Sequence, residues 1–392
     1  MLPLTVLFLL ADWPQFLGPA RDGSAPGPVP GTSARLLWKQ ETGHGFAGPV
    51  IVDGKLIFFV RLNDKEVVSA VNVNTGSKLW TYEYSTGYRD DFGFDDGPRS
   101  APTVADGRIF TYGAEGTLTA LELASGKKLW SIDTRARYGW KKGWFGAACA
   151  PIVESNLVLV NIGGANHSGI VAFDVATGKQ VWTATDDEAS YSSPTIATIG
   201  GERHALFLTR VGLTDLDPAS GRVRFQFPWH SRNDASVNAA TPLVSGDLVF
   251  ISSSYRTGAA LLKVQGSKYE KLWSNDESMS NHYSTAVLKD GFLYGYHGRQ
   301  ENGQALRCVE LKTGKVMWSD DDFGAGSVIL VQNTLLLLRE NGELVLAQAS
   351  PNKLNILARS QLLPSVVRAY PAYSNGLLCA RSERNIGCWK LN

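Results

Sequence analysis

One segment recurs along this chain and limits what it can fold into. Ala70-Val-Asn-Val-Asn-Thr-Gly-Ser-Lys-Leu-Trp80, Ala120-Leu-Glu-Leu-Ala-Ser-Gly-Lys-Lys-Leu-Trp130, Ala172-Phe-Asp-Val-Ala-Thr-Gly-Lys-Gln-Val-Trp182 and Cys308-Val-Glu-Leu-Lys-Thr-Gly-Lys-Val-Met-Trp318 share a small first residue, alternating apolar positions, a hydroxyl-Gly pair and a closing Trp. Asp215 to Phe225 reads as the same unit with a one-residue slip and Phe in place of Trp. Leu261 to Trp273 is a longer copy, Leu344 to Ile356 a weaker one, and Cys388-Trp-Lys-Leu the beginning of another. A spacing of roughly 40–50 residues suits four strands per unit.

The segments supply eight third strands. Fourth strands ending near Trp80, Trp130, Trp182, Phe225, Trp273, Trp318 and Ile356 make only seven, and Arg35-Leu-Leu-Trp38-Lys supplies the missing one. The reading is therefore an all-β fold, an eight-bladed β-propeller with four-stranded antiparallel blades, closed by an N-terminal strand that completes the last blade and removes an exposed edge. Each Trp, at the end of its fourth strand, is expected to fill the wedge between diverging blades. Asp-Gly pairs at 53/54, 106/107 and 290/291, with Ser245-Gly246-Asp247 and Ser374-Asn375-Gly376, suit tight hairpins. The Gly of each Thr-Gly or Ser-Gly pair supplies positive φ. No segment keeps a helical period.

Residues 1–11 read as a signal segment without the usual positive start, 12–34 as a leader, and 35–392 as the propeller. The apolar run is too short to span a bilayer, no other stretch suits a transmembrane helix, and no Cys stands near it for a lipid anchor. A periplasmic or secreted monomer is expected. The 392 residues carry a net charge of +1, which gives no electrostatic ground for a nucleic-acid partner.

Cys149, Cys308, Cys379 and Cys388 show no CxxC spacing, and no metal site is assigned. Cys379 and Cys388 flank a hairpin centred on Ser382 to Arg384. They either form a disulfide or, like Cys308 beside Ala70, Ala120 and Ala172, are small packing residues. Cys149 precedes an inner strand where other blades carry Ser100, Ser192 and Ala240, and is read as packing rather than as a nucleophile.

Connectivity sends the short Asp-Gly and Thr-Gly turns to one face and the long loops to the other. The long set comprises 87–99, 137–145, 186–191, 229–238 and 274–283, which link blades, and 297–302, between strands two and three. Their length and polarity exceed what closure needs, so binding is placed there. Arg99, Tyr191, Asn238, His282, Tyr283, Arg368 and Tyr370 precede inner strands and should stand at the channel mouth, a funnel able to hold a ligand. Tyr88, Asp95, Trp144, His297 and Arg299 complete the candidate binding set. Asp96, Glu188 and His282 are weak acid–base candidates, and Asp95/Asp96, Glu188 and Asp320 to Asp322 hold oxygens of the kind that bind Ca²⁺. No P-loop, HExxH, GxSxG or Rossmann fingerprint is present.

The pattern Ala-x-Asp-x-x-Thr-Gly-x-x-x-Trp resembles the tryptophan-docking motif of the pyrroloquinoline-quinone (PQQ) repeat propellers, over about residues 35 to 392. Asp12-Trp-Pro-Gln-Phe-Leu-Gly-Pro-Ala-Arg-Asp-Gly23 is similar to the leader of a secreted bacterial subgroup. The resemblance implies the propeller fold and leaves activity open. Its members include quinoprotein alcohol dehydrogenases, which use PQQ with Ca²⁺, and non-catalytic outer-membrane assembly factors of the BamB type. The dehydrogenases carry adjacent cysteines against the cofactor, and no two Cys are adjacent here. The first expectation is thus an exported, non-catalytic scaffold that binds a protein, peptide or glycan, without PQQ. A quinoprotein-like oxidoreductase or other enzyme at the mouth, and a BamB-like assembly role, are the alternatives.

Overall fold

A computed structural model describes residues 12–231, 233 and 238–392, so the proposed signal segment lies outside the described residues. Eight antiparallel four-stranded blades form the ring: 50–85, 103–133, 152–184, 195–228, 243–275, 287–320, 326–361, and 372–391. The last has three strands of its own and takes Ala34–Glu41 as its fourth, with Trp38 opposite Cys388. The expected closure is present, and so is every tight hairpin named from sequence. An α-helical turn, Thr134–Tyr138, lies in the crossover after blade 2, capped by Asp133 accepting from the Ala136 N–H at 2.9 Å.

The repeat position is the register position. Ala70 faces Trp80, Ala120 faces Trp130, Ala172 faces Trp182 and Cys308 faces Trp318. Asp215 faces Phe225 in the same register, so blade 4 carries no slip. Two other expectations change. The Trp stands near the start of its strand, as in Lys78–Ser85, just past a bulge. In blade 7 the residue opposite Leu346 is Ala358, two positions beyond Ile356, so this blade has no aromatic at the site.

Each such Trp reaches the next blade. The indole N–H of Trp38, Trp80, Trp130, Trp182, Trp273 and Trp318 donates to the carbonyl of Val73, Leu123, Val175, Pro218, Leu311 and Ser350 respectively, at 2.8–3.1 Å. The ring lies on the neighbour's turn glycine. A Cβ built on Gly126 would stand 2.4 Å from the Trp80 ring. Where Phe225 replaces Trp, Tyr269 of the next blade packs at 5.0 Å.

The leader is more than a tether, which the sequence did not reveal. It enters the central channel from the short-turn face, where Trp13 bridges Ile51 of blade 1 and the Val104 N–H of blade 2 donates to Pro14 at 2.8 Å. It turns at Gln15–Gly18 and leaves as Ser24–Ala25, paired in parallel with the inner strand of blade 7. Arg21 is fully buried. Its guanidinium donates to Gln15 and Thr103 and to the carbonyls of Ala150, Pro151 and Pro194, tying blades 2, 3 and 4 to the leader. Burial pushes this group down to about 9, yet every nitrogen is satisfied, Nε by the Gln15 side chain of the leader and the two terminal nitrogens by groups of blades 2, 3 and 4.

Cys379 and Cys388 face each other on adjacent strands of blade 8 and are disulfide-bonded. Cys149 and Cys308 are free and buried. Burial raises the Cys149 thiol to about 11, which fits packing rather than nucleophilic attack.

Two substitutions test this account by chemical denaturation. Gly107 and Gly126 share a φ near +71°, but nothing lies near a Cβ at 107. Gly126→Ala should lose about 1–3 kcal/mol more than Gly107→Ala, because the added methyl overpacks the indole. Equal losses would show that the Trp–Gly contact is not close. Arg21→Met should cost about 3 kcal/mol, since it strands buried carbonyls. A neutral result would remove the leader from the stability of the ring.

Candidate functional site at the channel mouth

The crossovers rise on the face opposite the hairpin turns, and loops from most blades close over one cavity of about 200 Å³. Phe16, at the turn of the leader, is in its lining and packs edge-on to Tyr370 at 5.1 Å. Since the leader fills the channel below, the mouth is a pocket with a floor and not a pore. The size is below the ~300–1,000 Å³ of drug-sized sites, so it admits one ring or side chain.

Arg99 and Arg368 dominate the polar wall. Arg99 is ion-paired to the buried carboxylate of Asp90, and its guanidinium lies 5.7, 5.6 and 5.6 Å from the rings of Phe46, Tyr88 and Phe145. Arg368 donates from Nε to Glu340 at 2.9 Å and lies 5.5 and 5.6 Å from Phe46 and Phe94. Cations held on aromatic faces with a carboxylate behind keep their charge without a full aqueous shell. At the edge of the cavity, Phe94 of the lining and Phe92 just outside it are each 50% exposed and pack with Phe145 into an apolar rim. Exposed aromatic clusters of this kind mark interaction surfaces.

Six residues expected at the mouth, Arg99, Tyr191, His282, Tyr283, Arg368 and Tyr370, line the cavity together. Several are anchored. The Tyr191 hydroxyl accepts from the Trp144 and Phe145 N–H groups at 3.0 and 3.1 Å and so sets the Phe145 ring. Tyr283 donates to Glu340 at 2.6 Å; burial and that carboxylate hold its hydroxyl well above the ordinary range. Asn238 turns away, its amide donating to the carbonyls of Thr209 and Trp229 at 2.8 and 3.1 Å. Tyr88 and Asp95 are buried behind the wall. Tyr88 accepts from Arg99, and Asp95 accepts from the Gly45 and Gly97 N–H groups, folding its own loop. Trp144 packs on Phe92, while His297 and Arg299 line an adjoining groove. Asp96 binds the Asp90 N–H, and Glu188 pairs with Lys141 and Arg210; neither lines the cavity.

Sequence reasoning missed Phe16, Phe46, Tyr255 and Gln300. Phe46 follows His44-Gly45 in the first crossover, where an aromatic between glycines was the available signal. Tyr255 and Arg256 form the turn between strands two and three of blade 5, both left-handed at φ 62° and 61°. Blade 3 uses the same backbone at Asn166–His167, with an Asn that tolerates it. A Tyr-Arg pair there costs stability and indicates a use for the side chains.

The residues do not fit Ca²⁺-bound PQQ. Among the described residues no three His, Cys, Asp or Glu side chains gather as a metal requires. Glu301 in the lining and Glu340 behind Arg368 already pair with Arg299 and Arg368 respectively. No vicinal cysteines are available, and one-ring space does not suit a fused tricycle.

A closed ring of eight such repeats is the architecture of a PQQ-repeat propeller. The family model described as "Outer membrane protein assembly factor BamB" matches residues 29–90 and 64–320, and the chain belongs to that family. The BamB of Moranella endobia is 22% identical over 298 residues, 73% of this chain and 72% of its own length. The quinohemoprotein alcohol dehydrogenase of Comamonas testosteroni is 32% identical over 143 residues, 35% of this chain, and the match spans 19% of the dehydrogenase. Among solved structures, BamB from Moraxella catarrhalis superposes with a TM-score of 0.65 at 14% identity, covering 91% of this chain and 98% of that one. The Comamonas dehydrogenase gives 0.68 at 14% identity, with 97% and 80% covered. At these identities the structures share the fold.

His297 offers a titration test. Its Nδ1 accepts from the Ser280 N–H at 3.1 Å, and burial, helped by Arg307, pushes the ring down to about 4. A depressed imidazole favours the folded state above its unfolded value of about 6.5, and that contribution fades as pH falls from there to about 4. The His297 ring resonances should therefore stay fixed between pH 7 and 5 and move near 4. A midpoint above 6 would mean the ring is free of Ser280.

Proposed function

We propose that this chain is an exported propeller whose long-loop mouth captures a protein, peptide or glycan by seating one ring or side chain in the cavity. The carrying observation is the convergence of Arg99 and Arg368, each on an aromatic face, with Phe46, Phe94 and Phe145 over a single closed-floored pocket. Crossovers from separate blades contribute these groups, and ring closure does not need them. The Cys379–Cys388 bond supports an oxidising compartment, the periplasm or the exterior. The protein acts as a monomeric binding module in this reading.

A second reading, a share in outer-membrane protein assembly, is favoured by the match over 73% of the chain to the Moranella factor. Expression in a bacterium lacking its own assembly factor should then restore outer-membrane protein levels.

Probing peptide and glycan arrays with the chain should give discrete signals. Phe94→Ala removes a half-exposed ring, and Arg368→Ala a side chain 23% exposed whose partner Glu340 keeps its bond from Tyr283, so the melting temperature should fall only slightly, while the signals fall about tenfold or more, the scale of a lost hot spot. Signals that survive both substitutions would move binding to another surface.

A further inference from the structure

Beside the two arginines the cavity holds a hydrogen-bonded chain whose direction is fixed. Gln300 donates from its amide nitrogen to Glu301 at 3.2 Å, which turns its oxygen toward His282 Nδ1. The imidazole therefore carries its proton on Nδ1, and Nε2 is an acceptor. The Tyr255 hydroxyl is 3.0 Å from that Nε2 and donates to it. Arg299, itself paired with Glu301 at 3.2 Å, lies over the Tyr255 ring at 4.2 Å; burial holds the Tyr255 hydroxyl above its ordinary range, and the Arg299 charge offsets part of that rise. Burial holds His282 below its ordinary range, so it is neutral and free to take a proton. Tyr255, His282, Gln300 and Arg368 all line the one cavity. The Arg368 Nε is given to Glu340, and among the described residues its two terminal nitrogens make no hydrogen bond.

A tyrosine backed by a neutral, oriented histidine is a proton-transfer couple. A guanidinium with two free donors is a carboxylate clamp, and neutralising a carboxylate is what makes the hydrogen on the adjacent carbon removable. Aromatic walls and one-ring space suit a pyranose. The left-handed Tyr255–Arg256 turn holds the hydroxyl in place at a cost in stability.

We propose that the mouth is a β-elimination site for uronate-containing polysaccharide, with Tyr255 as the group that exchanges protons with substrate, His282 as its proton store and Arg368 as the carboxylate clamp. Tyr255 Oη takes the hydrogen from the carbon bearing the carboxylate while its own proton passes to His282 Nε2. The C–H electrons form a carbon–carbon double bond, and the neighbouring bond to the glycosidic oxygen breaks. That oxygen takes a proton from Tyr255, and His282 returns its own. One proton moves from carbon to oxygen, with no oxidant, metal or water consumed. Gln300 is a positioning residue for the imidazole.

This inference rests on the mouth being a binding pocket, and one experiment separates the two. The chain is mixed with polygalacturonate, alginate and hyaluronan in turn; binding is read by calorimetry and product by the ultraviolet absorbance of the conjugated double bond, confirmed by mass. The expected result is binding and unsaturated product with at least one polymer. Tyr255→Phe, which keeps the ring, should lower the rate about 100-fold or more while leaving affinity within about twofold. Binding without product overturns the elimination and leaves the pocket standing. No binding to any of the three overturns the uronate assignment, whereas the array experiment judges the pocket itself. A Tyr255→Phe protein of unchanged melting temperature that is as active as the parent also overturns it.

Discussion

The ring depends on one contact made repeatedly: an indole laid on the turn glycine of the next blade, its N–H given to a carbonyl there. Blades diverge outward, so apolar packing alone would leave the outer seam open to water. The Trp fills that wedge and satisfies its own donor in one step, as Trp80 does with Gly126 and Leu123. Glycine is required twice over in that turn, for positive φ and for the ring's approach. This is why the Gly and the Trp recur together. The two seams without Trp show the same logic from the other side. Blade 4 substitutes a Phe–Tyr contact, and blade 7, with Ala358, borders the blade that the N-terminal strand and a disulfide complete.

What the sequence made legible follows from that contact. A motif fixed by backbone geometry is visible in one sequence, so blade number and closure could be read from residues 38 to 388. The weak copy in blade 7 was misplaced by two residues because its bulge position holds Leu357 and its seam position Ala358, neither distinctive. The crossovers were assigned to the correct face because connectivity alone decides it. Which of their residues point inward was harder. Aligned on Ser100, Ser192 and Ala240, Arg99 and Tyr191 share their place with Ala239, and all three line the cavity; Asn238 stands one place earlier and caps the carbonyls of Thr209 and Trp229 instead. The offset of one residue is visible once the inner strands are aligned; which carbonyls the Asn238 amide then meets depends on orphaned backbone groups in loops without a repeat.

The leader was the largest omission. Its residues carry no periodicity, and its role is set by distant partners: Arg21 meets carbonyls 129 to 173 positions away. A lone arginine in a Gly-Pro-rich stretch reads as surface. Its burial is possible because inner strands of successive blades present carbonyls toward one axis, which gives a cation the polar surroundings it would otherwise lack.

The filled channel changes what the mouth can do. An open axis would let water reach the cavity from both faces and weaken each charged contact in it. With Trp13, Leu17 and Arg21 buried below and Phe16 as part of the lining, solvent reaches Arg368 and His282 only from the loop side. The lower dielectric that follows keeps His282 neutral and strengthens the attraction of Arg368 for an incoming carboxylate. A ligand entering from above would complete the enclosure. Leader, seam and site are thus linked in order: the Trp–Gly seams hold neighbouring blades together, the leader folds back inside the ring they form, and that segment turns a ring of loops into a pocket.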